Sequence, residues 1–166
     1  MFTLVIIMKT NTLLKIIISI VICLAVGFLA SIATQTGVGG WYETIQKPSF
    51  TPPNAVFAPV WTVLYVLMGI AAGIVWSRGL HHIWVKTALY HFVFQLLFNA
   101  LWSLVFFNLE QPLWALLVII TLLILILLTI KWFKVVNNLA AYLLIPYALW
   151  VAYALVINFE IWRLNS

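Results

Sequence analysis

Residues 116–130 read LLVIITLLILILLTI, a run from Leu116 to Ile130 with no charge and only two hydroxyls, Thr121 and Thr129. A strand of a membrane barrel needs polar residues at alternate positions to face the lumen, and this run cannot supply them. A helix at the surface of a water-soluble domain needs a polar face, which is missing too. The run fits a helix surrounded by lipid, with its backbone hydrogen bonds closed within the segment. Extended to the nearest charges it becomes the uncharged window 111–130, and the eleven charged residues leave four more windows, 16–42, 48–77, 87–109 and 135–159. Each reaches the roughly 20 residues needed to cross a bilayer core. Composition agrees: of 166 residues, 66% are hydrophobic and 7% charged, where a soluble domain carries about 25% charge. The expected fold is an all-α integral membrane protein. It is a bundle of five transmembrane helices at about 13–36, 55–78, 82–108, 111–132 and 138–162, forming one domain over 1–166 without internal repeats. Residues 1–8 read as an extension ahead of Lys9.

The net charge of +5 points to orientation rather than to nucleic acid. Lys9, Lys15, Arg78, Lys86, Lys131 and Lys134 fall at the N-terminus and in the second and fourth turns, while Lys47 and Arg163 fall on the other side. The positive-inside rule then makes the N-terminus cytoplasmic. The lone Cys23 lies inside the first helix and forms no internal disulfide.

Only the first connection, 37–54, is long, and its continuation to Gly69 reads WYETIQKPSFTPPNAVFAPVWTVLYVLMG from Trp41. Pro48, Pro52 and Pro53 remove backbone donors and disfavour helix, so the stretch through Pro53 is expected to be an ordered loop packed by its aromatics. Asn54 is placed to cap a helix that has Pro59 in or near its first turns. Such a loop between membrane helices reads as a lid over a pocket.

Three helix faces could form that pocket. His91, Gln95, Asn99 and Ser103 recur every four residues, with Trp102 beside them, and polar groups so placed should turn into the bundle. Gln95 and Asn99 suit either interhelical hydrogen bonds or a polar patch in a cavity, while His91 and Ser103 are assigned to helix packing. Tyr147, Trp150, Ala154 and Asn158 share a broad face of the fifth helix, which Pro146 should kink. Trp61, Tyr65 and Met68 make a matching stripe on the second. Ser19, Cys23, Gly27 and Ser31 on the first helix, and Gly69, Gly73 and Ser77 on the second, are small-residue stripes suited to close packing, within the chain or against a second copy. Trp114 and Trp132, near the two ends of the fourth helix, suit the membrane interfaces.

Familiar catalytic sets are missing. Glu43, Glu110 and Glu160 all lie at membrane boundaries, and the chain has no aspartate for a Ser-His-Asp triad. Three histidines and one cysteine show no metal-ligand spacing, and the expectation is a site without metal. What abounds is tryptophan, nine residues in all, whose flat faces suit a flat, apolar, polycyclic ligand.

Trp41-Tyr42, Gln46-Lys47-Pro48-Ser49-Phe50, Pro52-Pro53, Pro59-Val60-Trp61, Leu64-Tyr65 and Met68-Gly69 together resemble the signature of the tryptophan-rich sensory protein/translocator protein (TspO/MBR) family. Gln95, Asn99 and Trp102, then Pro112 with Trp114-Ala115-Leu116, and Pro146-Tyr147, Trp150, Asn158 and Trp162-Arg163 extend the likeness over about 15–163. The resemblance implies a five-helix bundle, often a homodimer, whose first loop closes a pocket for protoporphyrin IX, haem or similar ligands, with no resident cofactor required. It implies a bacterial cell-membrane protein that promotes light-dependent porphyrin degradation. By motif position, Tyr42, Trp61, Asn99, Trp102, Trp114, Tyr147, Trp150 and Ala154 would line the pocket, joined by Tyr65 from the stripe, with Trp61 and Trp150 the photochemical pair. Tetrapyrrole transport and ligand-responsive regulation without turnover are the alternatives. One departure concerns sterols: the animal recognition pattern wants tyrosine where this chain has Phe159.

Overall fold

The structure, a computed structural model, describes the backbone of residues 2–166 and the side chains of 11–32, 34–35 and 39–166; the reading of 1–8 as an extension lies outside the described side chains. The chain runs through α1 (Phe2–Val38), α2 (Trp41–Thr44), α3 (Asn54–Ser77), α4 (Ile83–Ser103), a π-helical turn (Leu104–Asn108), α5 (Pro112–Val136), α6 (Asn138–Tyr142) and α7 (Ile145–Asn165). Among the described residues five segments are long and apolar enough to cross a membrane: Asn11–Ile32, Asn54–Ser77, Ile83–Asn108, Pro112–Val136 and Asn138–Asn165. The protein is a multi-pass membrane bundle.

Three expectations are corrected. The first connection is not loop throughout: Trp41–Thr44 form a helical turn, because the prolines that forbid helix begin only at Pro48. Asn54 is the first residue of α3 rather than its cap; Pro53 occupies the cap position without a side-chain hydrogen bond. The fifth span is two helices, since Pro146 opens α7 after a turn at Leu143–Leu144. Proline lacks the donor that continuation from α6 would demand, whereas the first turn of a new helix does not need it.

α1 packs chiefly on α3, α4 on α5, and α5 on α6 and α7. The α1–α3 contact depends on glycine: a Cβ at Gly69 would lie 2.4 Å from the Ile20 Cα, and one at Gly73 2.4 Å from the Ile16 Cα. The Gly69–Gly73 stripe is thus used within the chain. At the far end of α4 the backbone widens by one residue, and the Leu109 amide donates to the Leu104 carbonyl at 3.0 Å. Such π turns set neighbouring side chains in a phase that a regular helix cannot reach. Asn158 ties this end together, accepting from Trp102 Nε1 at 3.1 Å and donating to the Pro112 carbonyl at 2.8 Å.

Candidate functional site

A cavity of about 580 Å³ is lined by residues of α1, α3 and α4 together with Tyr42 of α2. That size suits a ligand of several fused rings. α3 contributes Trp61 and Tyr65 to its wall, and α4 contributes Asn99 and Trp102. The Trp61 ring lies 5.7 Å from Tyr65 and 6.4 Å from Trp102, centroid to centroid, each pair tilted by about 30° (32° and 34°). The wall is therefore a shallow bowl of indole and phenol faces. Gly27 on α1 makes room for it, since a Cβ there would stand 2.3 Å from the Tyr65 ring.

Tyr42 on α2 closes the cavity from the loop side and is 3% exposed. Its ring stands edge-on to Phe106 and Phe107 of the π turn, at 6.1 and 5.3 Å. Lys47 bends back over it, with Nζ 4.6 Å from the ring centre and donating to the Tyr42 carbonyl at 2.7 Å. Burial raises the Tyr42 phenol above its ordinary pKa, so the group stays protonated and can donate. The rest of the loop is fastened to α7. Tyr153 donates to the Phe50 carbonyl at 2.5 Å, and Asn165 both accepts from the Gln46 amide at 3.0 Å and donates to its carbonyl at 2.9 Å.

Behind the bowl, a line of hydrogen bonds joins three helices. Tyr65 donates to Asn99 Oδ1 (2.7 Å), Asn99 Nδ2 to the Tyr147 hydroxyl (3.0 Å), and Tyr147 to Gln95 Oε1 (2.8 Å). Gln95, Asn99 and Tyr147 are all buried.

Of the residues named from sequence, Tyr42, Trp61, Tyr65, Asn99 and Trp102 meet at this cavity. Tyr147 sits one layer behind, fully buried, its ring 6.3 Å from Trp61. Trp150 and half-buried Ala154 are not among the lining residues; Trp150 packs edge-on to Phe57, a lining residue, at 6.1 Å and against Tyr153 at 5.8 Å. Trp114 lies elsewhere: it is 61% exposed and borders a separate groove of about 470 Å³ with Phe98, Leu109 and Leu117. Helix phase explains it, because Ala115 and Leu116 are the residues that α5 turns inward there.

The sequence reading missed the whole α1 side of the cavity, where Gly27, Phe28, Ser31 and Thr34 lie. Gly27 and Ser31 were visible as small residues, but the same pattern describes plain packing. Ser103, which sequence assigned to packing, also lines the cavity. His91 does not: its Nδ1 lies 2.8 Å from the Thr87 carbonyl and its ring 6.0 Å from Trp132.

Residues 19–163 match the TspO/MBR family. The chain is 42% identical over 158 residues to the tryptophan-rich protein TspO of Archaeoglobus fulgidus, covering 93% of this chain and 99% of that one. It is 41% identical over 144 residues to the protein of the same name from Chlorobaculum tepidum, covering 87% and 91%. The human translocator protein is 37% identical over 130 residues, covering 75% of each chain.

Proposed function

Because the chain belongs to the TspO/MBR family, with the receptor- or transporter-like membrane role that membership supports, we propose that its cavity binds tetrapyrroles, protoporphyrin IX foremost and haem second. We further propose that it promotes their oxidative breakdown in light. The observation that carries this reading is the bowl of Trp61, Tyr65 and Trp102 under Tyr42: flat π faces, a predominantly apolar lining, and a volume of several fused rings. Stacking on such faces supplies affinity without a charged anchor. The excited porphyrin and dioxygen are the reactants, dioxygen being reduced as the macrocycle is oxidised. Trp61, at the wall, is the residue placed to exchange an electron with the ligand. Trp150 acts from one ring further back, through Phe57. The reading places the protein in a bacterial cell membrane, N-terminus cytoplasmic, as a homodimer.

The test is protoporphyrin IX titrated into purified protein in detergent and followed in light and in darkness. Saturable tryptophan quenching, then light-driven loss of porphyrin absorbance faster than in empty micelles, is the expected outcome. Trp61→Phe should slow that loss and Trp150→Phe should slow it less. Degradation at the parent rate in both variants removes the photochemical role. Quenching without degradation leaves a carrier or regulator, which flux across sealed vesicles tells apart. No quenching at all overturns the tetrapyrrole reading.

A further inference from the structure

The line of hydrogen bonds behind the cavity has an unusual end. Gln95 is 1% exposed, and its Nε2 has no hydrogen-bond partner. A buried amide donor without an acceptor costs most of its desolvation energy, and surrounding lipid offers no substitute. At the other end the line does not finish inside protein, since Tyr65 and Asn99 line the cavity while Gln95 and Tyr147 lie behind them.

Every member of this line can both give and take. A hydroxyl has one proton and free lone pairs, and a carboxamide presents oxygen or NH₂ according to which way it is turned. Turning the two amides end for end and rotating the two hydroxyls reverses all three bonds while the rings and backbones stay in place. Gln95 Nε2 then donates to Tyr147, Tyr147 to Asn99 Oδ1, and Asn99 Nδ2 to the Tyr65 oxygen. The stranded NH₂ gains a partner. What is left over at the buried end is a carbonyl oxygen, which tolerates under-satisfaction better than a donor does. The hydroxyl hydrogen of Tyr65, a residue of the cavity wall, is now left without an internal partner.

We propose that this line is a reversible relay of hydrogen-bond polarity, and that a ligand carrying an acceptor at its edge turns it, so that Tyr65 donates to the ligand and Gln95 becomes satisfied. The cavity therefore selects flat apolar polycycles with a carbonyl, carboxylate or imine-type nitrogen at the rim over those with only hydrogens there. Gln95 is a positioning residue: it touches no ligand and acts through Tyr147 and Asn99. Gly27 belongs to the same device, because its bare Cα lets the Tyr65 ring sit at the cavity wall with its hydroxyl on Asn99. The inference rests on the cavity being the ligand site.

Three tricycles of nearly the same shape make the test: 9-fluorenone with an edge carbonyl, fluorene with a methylene, and carbazole with an N–H. Each is titrated by tryptophan fluorescence, with protoporphyrin IX run beside them. Fluorenone should bind roughly three- to tenfold tighter than fluorene, the size of one net hydrogen bond. Tyr65→Phe should bring that ratio close to one. Gln95→Met removes the stranded amide and leaves Tyr147 free to donate toward Asn99, so it should raise the ratio about two- to threefold with fluorene affinity unchanged; a purely structural role for Gln95 would move both ligands together. Equal binding of fluorenone and fluorene, carbazole matching or exceeding fluorenone, or a ratio unmoved by Gln95→Met overturns the relay. Porphyrin quenching with all three tricycles silent overturns the relay alone, and silence from all four overturns the cavity reading with it.

Discussion

The seam between α1 and α3 has two halves built from the same residue type to opposite ends. In one half Gly69 and Gly73 of α3 bring the Ile20 and Ile16 backbones of α1 so near that no side chain fits between. In the other half the glycine is on α1, and Gly27 yields its space to a ring, that of Tyr65. Gly27 and Tyr65 both line the cavity. A small residue opposite a backbone closes a seam; a small residue opposite an aromatic gives that aromatic a seat. The first kind of glycine serves the fold and the second serves the site.

Substitutions should separate the two. Gly73→Leu, which must push two backbones apart, is expected to cost about 3 kcal/mol or more, seen as a large fall in Tm in detergent and poor recovery of folded protein. Gly27→Ala meets a ring that can swing, so a smaller loss of about 1–2 kcal/mol is expected. Its main effect should be on the site: a Tyr65 ring driven from its seat no longer lies under the ligand or reaches Asn99, and protoporphyrin IX affinity should fall about tenfold, the weight of one lost aromatic contact. If Gly27→Ala instead lowers Tm as much as Gly73→Leu with affinity intact, the division between the halves fails. The smallest effect belongs to Trp114→Ala, outside the seam altogether, where ligand affinity should change less than about twofold, as expected of a residue that makes no ligand contact.

Trp114 also shows what the sequence could and could not convey. Two readings were available for it: an interfacial anchor, from its place near the end of an apolar helix, and a pocket residue, from its place in a family motif. Its 61% exposure and its separation from the cavity fit the first. Membrane spans were legible because lipid imposes one rule along the whole chain, and eleven charges were enough to mark the boundaries. Asn99 was legible because polar residues at four-residue steps in a span must face inward, and Trp61 and Trp102 because the family motif placed them beside that face. Gln95 was recognised as part of that face, but not its stranded amide, which depends on where Tyr147 arrives from another helix. The α1 wall was hidden for a related reason. Whether a glycine meets a backbone or a ring is decided by the neighbouring helix, and nothing in the spacing of Ser19, Cys23, Gly27 and Ser31 says which.

The widened turn at Leu104–Asn108 adds a final point about how such a bundle can be altered. It accommodates one residue more than a regular helix would, so deleting a single residue there would restore ordinary winding and leave the segments on either side in their present phase. Phe106 and Phe107 could no longer both meet Tyr42, and the roof of the cavity would change shape while the membrane-crossing length hardly altered. Insertions and deletions in helices are usually ruinous; here the helix already carries a slot for one, placed where it would retune the space beneath the lid and leave the rest of the span in register with the bilayer.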